Sequence, residues 1–236
     1  MSHNVLLNNI DHKDLRISTR RAAGLGDDVM SAITFPAEFR NLQAHYPIVF
    51  QKSPDGVSFS PLALLGFEEG SNLFLGPNGW DASYLPLAIE RQPFLIGQAD
   101  GELVVHVDLD SPRITAADGQ AVFLQHGGTT EYLERINSVL LAIHEGLQST
   151  PSFIAGLMEH QLLEPFVFEV ELEDGSTHRL AGLYTIHEER LSQLNGAALE
   201  RLSRSGYLQA IYMAVASMSN LRSLVERRSR LHALGG

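Results

Sequence analysis

His106, Val107 and Asp108 place a histidine and an aspartate two residues apart on a predicted strand. Alternate strand residues share a face, so both side chains can reach one ion. A second histidine from elsewhere would complete the 2-His-1-carboxylate face of non-haem Fe(II) oxygenases. His187 is the preferred third ligand, with His160 and His178 as alternatives. Arg179 or Arg190 would then take the carboxylate of a 2-oxo acid in a bidentate pair. Fe(II) is the cofactor under this reading; no cofactor is expected otherwise. The competing reading is an ordinary surface or hydrogen-bonded His and Asp. His12-Lys13-Asp14 repeats the spacing, and a chain with 10 histidines supplies such pairs by composition.

Other chemistries find less support. The sequence has no cysteine, which excludes disulfides, thiolate zinc sites and a cysteine nucleophile. It has no Gly-x-Ser-x-Gly elbow for a serine nucleophile. Gly24-Leu25-Gly26 lacks the preceding apolar strand of a dinucleotide fingerprint, and Val29 stands where a third glycine would. It reads as a flexible connector. No catalytic residue is assigned, and an enzyme is the less favoured outcome.

The second candidate site is aromatic. Tyr46, Phe50, Phe67, Phe74, Trp80, Tyr84 and Phe94 fall at non-periodic intervals among glycines and Pro47, Pro61, Pro77, Pro86 and Pro93. One reading is core, because aromatics bury large apolar areas and pin irregular crossings. The other is a recognition face for a protein or small molecule, built on Trp80, Tyr84, Arg91 and Tyr46. Prolines would keep such a face preorganised.

The elements that must position these residues divide by composition. The chain before residue 128 reads as strands and turns, and the remainder as helices with one further hairpin. Asp55-Gly56, Asp100-Gly101 and Asp174-Gly175 each sit between β-rich flanks and mark hairpins, and Asn78-Gly79 marks a further turn. Thr129 or Thr130 caps a helix with Leu133, Ile136, Leu140, Ile143 and Leu147 on one face. Thr150 is expected to cap a second helix, with Pro151 first and Pro165 as its stop. Short helices follow near Glu188–Leu194 and Ala197–Arg204, then one long helix from Tyr207 to about Arg228. Residues 111–128 form the loosest joint. Because a hairpin returns after two helices, the expectation is a single interleaved α+β domain over 1–236.

Composition narrows the partners. The 236 residues are 44% hydrophobic, enough for a sizeable core. A net charge of -11 speaks against nucleic acid. Arg222, Arg227, Arg228 and Arg230 read as cations favoured near a helix C-terminus. Met1 to Asn9 lacks a cationic, apolar leader pattern, and Tyr207 to Val225 is too polar for a membrane span. A cytoplasmic protein is expected, and a homodimer is the commonest assembly by base rate.

Several runs together resemble the bacterial SapC family. They are Tyr46-Pro47-Ile48-Val49-Phe50, Ala63-Leu64-Leu65-Gly66, Asn72-Leu73-Phe74, Gly79-Trp80, Tyr84-Leu85-Pro86 and Arg91-Gln92-Pro93-Phe94. The likeness continues through Asp108-Leu109-Asp110-Ser111-Pro112-Arg113 and Gly182-Leu183-Tyr184-Thr185-Ile186. It ends with Leu199-Glu200-Arg201-Leu202 and Ser205-Gly206-Tyr207-Leu208. Glu90 and Gln92 depart from the aromatic and basic cluster usual before Pro93-Phe94. Asp108 and Asp110 match the family pattern and His106 does not. The resemblance implies no catalytic residue. Members tend to be encoded near halogenases, uptake receptors and iron-type proteins, which implies an accessory or binding role. The family's name implies a surface-layer connection, and hence a structural alternative.

Overall fold

Asp-Gly and Asn-Gly pairs turn the chain because glycine accepts the positive φ that a tight hairpin needs. Gly56, Gly79 and Gly101 take φ of 73°, 102° and 87° between paired strands. The structure, a computed structural model, describes residues 3–99, 101–115, 118–171 and 177–235. Asp100 and the Asp174-Gly175 turn lie outside the described residues.

In chain order the strands are β1 (Asn4–Leu6), β2 (Arg16–Ile17), β3 (Ser31–Ile33), β4 (Ile48–Lys52), β5 (Phe59–Leu64), β6 (Leu75–Gly76) and β7 (Gly79–Trp80). They continue as β8 (Phe94–Ala99), β9 (Glu102–Asp108), β10 (Ile114–Thr115), β11 (Gln120–Ala121), β12 (Leu163–Glu171) and β13 (Thr177–Ile186). The helices are α1 (Phe39–Leu42), α2 (Leu87–Glu90), α3 (Glu131–Glu159), α4 (Glu188–Ser192), α5 (Gly196–Arg204), α6 (Tyr207–Ser217) and α7 (Asn220–Gly235). The chain is α+β, as its sequence indicates, with antiparallel sheets and helices concentrated late. Among the described residues no helix is long and apolar enough to cross a membrane.

Packing groups the chain into two compact units, each drawn from separate stretches. The first comprises Met1–Asp28, Leu75–Asp81 and Leu87–Glu145; the second comprises Val29–Phe74, Ala82–Pro86 and Gly146–Gly236. Residue 128 does not separate them, since each unit takes both strands and helix.

In the first unit an antiparallel sheet runs β1-β9-β8, with a small sheet β10-β2-β11 and the β6–β7 hairpin. Alternation along β9 buries Val107, which packs with Ile17, Phe94 and Val122. Leu133, Ile136 and Leu140, at helical spacing on α3, close this core. Thr130 caps α3, its Oγ1 accepting from the Leu133 N–H at 3.3 Å. The Tyr132 ring lies beside Phe94 with centroids 6.2 Å apart.

The second unit is built on the five-stranded antiparallel sheet β12-β13-β4-β5-β3. Tyr46, Ile48, Val49 and Phe50 are fully buried, as are Leu64, Leu65, Leu157 and Ile211. Phe153 stands edge-on to both Phe39 and Tyr207. The buried Ser217 Oγ accepts from the Ile48 N–H at 2.9 Å and donates to the Ala214 carbonyl. That bond fixes α6 to the start of β4.

Two helix boundaries differ from expectation. Thr150 does not begin a helix: α3 runs unbroken through Pro151. An interior proline costs a helix about 3 kcal/mol, but burial on both sides of Pro151 holds this one together. Ile143 lies buried before it and Phe153, Ile154 and Leu157 after it. The Thr150 and Ser149 hydroxyls donate back to the Gly146 carbonyl instead of capping. Gln161, at φ 52°, ends the helix rather than Pro165, which lies in β12. Its N–H donates to the Met158 carbonyl and the Leu162 N–H to Leu157, a Schellman closure. The long terminal helix is two, because the chain tightens at Met218 and Ser219 into bonds with residues three positions back.

Two outcomes follow from this packing. A Cβ at Gly146 would overlap the ring of Phe35, which is 4% exposed. Alanine favours a helix by about 1 kcal/mol over glycine, whereas overpacking a core costs about 1–3 kcal/mol. Gly146→Ala should therefore lower unfolding free energy by up to about 2 kcal/mol in urea titration, the balance of these two effects. Burial pushes the Tyr132 phenol from 10.0 to about 12, against the pull of the Arg21 and Arg113 cations. The fold thus prefers the neutral phenol. Stability should fall as pH rises from about 10 to about 12, by up to roughly 2 kcal/mol. Tyr132→Phe should abolish that part of the slope in denaturation curves taken across this window.

Candidate functional site

Arg91 follows the single turn of α2 and precedes β8. Its side chain is pinned locally: Nη1 donates to the Phe94 carbonyl at 2.7 Å, and the Phe94 N–H donates to the Arg91 carbonyl at 2.8 Å. The β8–β9 register sets Phe94 against Val107, so Arg91-Gln92-Pro93 meets the chain leaving β9. The Asp108 N–H donates to the Pro93 carbonyl at 3.2 Å and joins the two segments. Asp108 then organises the turn that follows. Its Oδ1 accepts from the His3 and Asp110 N–H groups, each at 3.1 Å.

These segments line a cavity of about 300 Å3 together with Asn4, Leu25 and Gly26. Arg91 is half-buried in its wall, and burial pulls the guanidinium pKa below the ordinary arginine value. Guanidinium nevertheless stays charged in proteins. Among the described residues no carboxylate pairs with it. Asp108, Asp110 and Ser111 line the same cavity, so its wall draws on one basic and two acidic residues.

Behind the cavity lies a buried ion pair. Asp27 is 0% exposed and Arg113 is 1% exposed. Arg113 Nη2 donates to Asp27 Oδ1, and its Nη1 donates to the Ser18 and Arg20 carbonyls at 3.2 and 2.9 Å. Nε donates to Gln92 Oε1 at 3.3 Å. Asp27 Oδ2 accepts from the Ala22 N–H at 2.9 Å, and Oδ1 also accepts from Arg21 at 3.3 Å. Burial and the neighbouring Arg113 charge lower the Arg21 pKa, against the pull of Asp27. The network ties the 18–27, 92 and 113 segments together directly behind the cavity wall. Gly24-Leu25-Gly26, expected as a plain connector, is a short 3-10 turn that contributes to that wall.

The residues of the metal reading occupy separate places. His106 and Asp108 both belong to β9, but the His106 ring covers Gly97, where a Cβ would stand 2.7 Å from it. Asp108 lines the cavity and His106 does not. His187 belongs to the second unit, where its Nδ1 accepts from the Arg190 N–H to cap α4. Arg179 pairs with Glu169 across β12 and β13, and Arg190 donates to Gln161. The His178 side chain lies outside the described residues. Among the described residues, no three His, Asp or Glu side chains gather as a metal site.

The aromatic residues also separate. Tyr46 is fully buried in the second unit, tilted against Phe74, and its hydroxyl donates to the Tyr84 carbonyl. Tyr84 is half-buried and donates its hydroxyl to the buried Glu38 at 3.1 Å. Phe50, Phe67, Phe74 and Phe94 are core. Trp80 is half-buried on β7 in the first unit and does not line the Arg91 cavity. Reading the sequence alone missed Asp27 and Arg113 as partners. Arg113 closes the Asp108–Arg113 run and was visible there; Asp27 carries no local signal.

No curated protein and no solved structure matches this chain. A family model described as SapC matches residues 7–224, which include every segment lining the Arg91 cavity except Asn4. The chain belongs to the SapC family.

Proposed function

We propose that this protein is a small-ligand binding module, and that its ligand seats an anionic group on Arg91. The observation that carries this is a half-buried arginine, without a carboxylate partner among the described residues, in the wall of a cavity. A partly desolvated cation with no carboxylate paired to it is costly to the fold. A bound carboxylate or phosphate removes that cost through charge-assisted hydrogen bonds. The volume of about 300 Å3 suits a small molecule rather than a protein segment. This reading narrows the recognition face expected around Trp80, Tyr84, Tyr46 and Arg91 to its arginine.

Ligand-observed NMR tests it. The probes are a mixture of small carboxylic acids, with and without an amino group, and inorganic phosphate. At least one should give a saturation-transfer signal that Arg91→Gln abolishes while the melting temperature stays close to the parent's. Arg91→Lys keeps the charge and should retain part of the signal. Silence from every probe, or equal signals in Arg91→Gln, would overturn the proposal.

A further inference from the structure

We infer that the ligand of the Arg91 cavity is a zwitterion of the α-amino-acid class with a compact apolar side chain, an inference that rests on that cavity being a binding site. Charges of both signs line one space: Arg91 on one hand, Asp108 and Asp110 on the other. Among the described residues, no ion pair joins Arg91 to either carboxylate, and none joins either carboxylate to another cation. Arg91 is turned to the Phe94 carbonyl, and Asp108 Oδ1 is held by the His3 and Asp110 N–H groups. Asp108 Oδ2 and the Asp110 carboxylate remain as acceptors with no hydrogen bond among the described residues.

Opposite charges that share a cavity without closing on each other select the ligand. A simple anion would gain Arg91 but meet two carboxylates. A simple cation would gain the carboxylates but meet the guanidinium. Each therefore carries a built-in penalty, and only a molecule with both charges avoids both. An α-amino acid carries both on one carbon, with the carboxylate for Arg91 and the ammonium for Asp108 and Asp110. The rest of the wall includes Leu25, Pro93 and Leu95, which offer an apolar surface to a side chain. At about 300 Å3 the cavity sits at the small end of ligand sites, so that side chain is compact.

Isothermal titration of the full chain tests the inference, with L-alanine, L-valine, L-leucine and L-methionine as probes. For whichever amino acid binds tightest, its methyl ester removes the carboxylate charge and its 2-hydroxy acid removes the ammonium. Both analogues should bind at least about tenfold more weakly, the usual consequence of leaving a charged partner unmet. Asp110→Asn changes an exposed side chain without structural bonds, so it should fold normally. It should weaken the amino acid while sparing the hydroxy acid, closing the gap between them. If the hydroxy acid binds as tightly as the amino acid and still needs Arg91, the zwitterion falls and the binding site stands. If no amino acid binds while other acids do so through Arg91, the result is the same. Amino-acid binding unchanged in both Arg91→Gln and Asp110→Asn would remove the cavity from both readings.

Discussion

The buried pair of Asp27 and Arg113 is the interaction on which the first unit's cavity wall depends. Two charges taken out of water gain nothing unless every donor and acceptor finds a partner. Here Ser18, Arg20 and Gln92 take three further Arg113 donors, and Ala22 and Arg21 supply Asp27. Each partner belongs to a segment next to the cavity, so satisfying the charges fixes the wall. Apolar residues of similar volume could fill this space at comparable stability, but they would specify no direction. A guanidinium, with five donors in a rigid plane, sets direction as a lysine ammonium cannot.

Arg91 shows the same chemistry left incomplete. It sits beside Gln92 and three residues before Phe94, yet its side-chain bond among the described residues is to a neutral carbonyl. The contrast with Arg113 is instructive. Arg113 is almost fully buried and receives a carboxylate; Arg91 is half-buried and receives none among the described residues. Full burial forces a counter-charge from within the fold. Partial burial at a cavity tolerates its absence, because water or a ligand reaches the cation. In a chain of net charge -11, carboxylates are plentiful, so an arginine that pairs with none among the described residues reflects placement rather than scarcity.

Local chemistry was legible in the sequence wherever it decides the structure alone. The hairpins turning at Gly56 and Gly101, the Thr130 cap and the apolar face of α3 follow from φ preference, capping and period. The errors fall where tertiary burial overrides a local rule. Pro151 reads as a helix start, yet α3 passes through it because Phe153 and Leu157 bury beyond it. Tyr207 to Arg228 reads as one helix, yet the chain breaks near Ser217, whose hydroxyl is committed to β4. For the site, Arg91 and Asp108 could be singled out from their runs. That they line one cavity depends on the β8–β9 register, and the role of Asp27 depends on a partner 86 positions away.

The non-periodic aromatic block has a cause of the same kind. Between Leu73 and Phe94 the chain changes unit three times: after Phe74, after Asp81 and after Pro86. A segment that serves one core for only five to seven residues, as 82–86 and 75–81 do, cannot build a helical or strand period. Single side chains must anchor each pass instead. Tyr84 does so in the second unit, with its carbonyl held by Tyr46 and its hydroxyl by Glu38, while Ser83 bonds to His45. The β6–β7 hairpin carries Trp80 through the intervening pass in the first. Prolines at 77, 86 and 93 restrict the backbone where regular bonding is interrupted. Much of the aromatic pattern by which the family resemblance is recognised is therefore the signature of a chain crossing between two cores. The final crossing delivers Arg91 to the cavity wall.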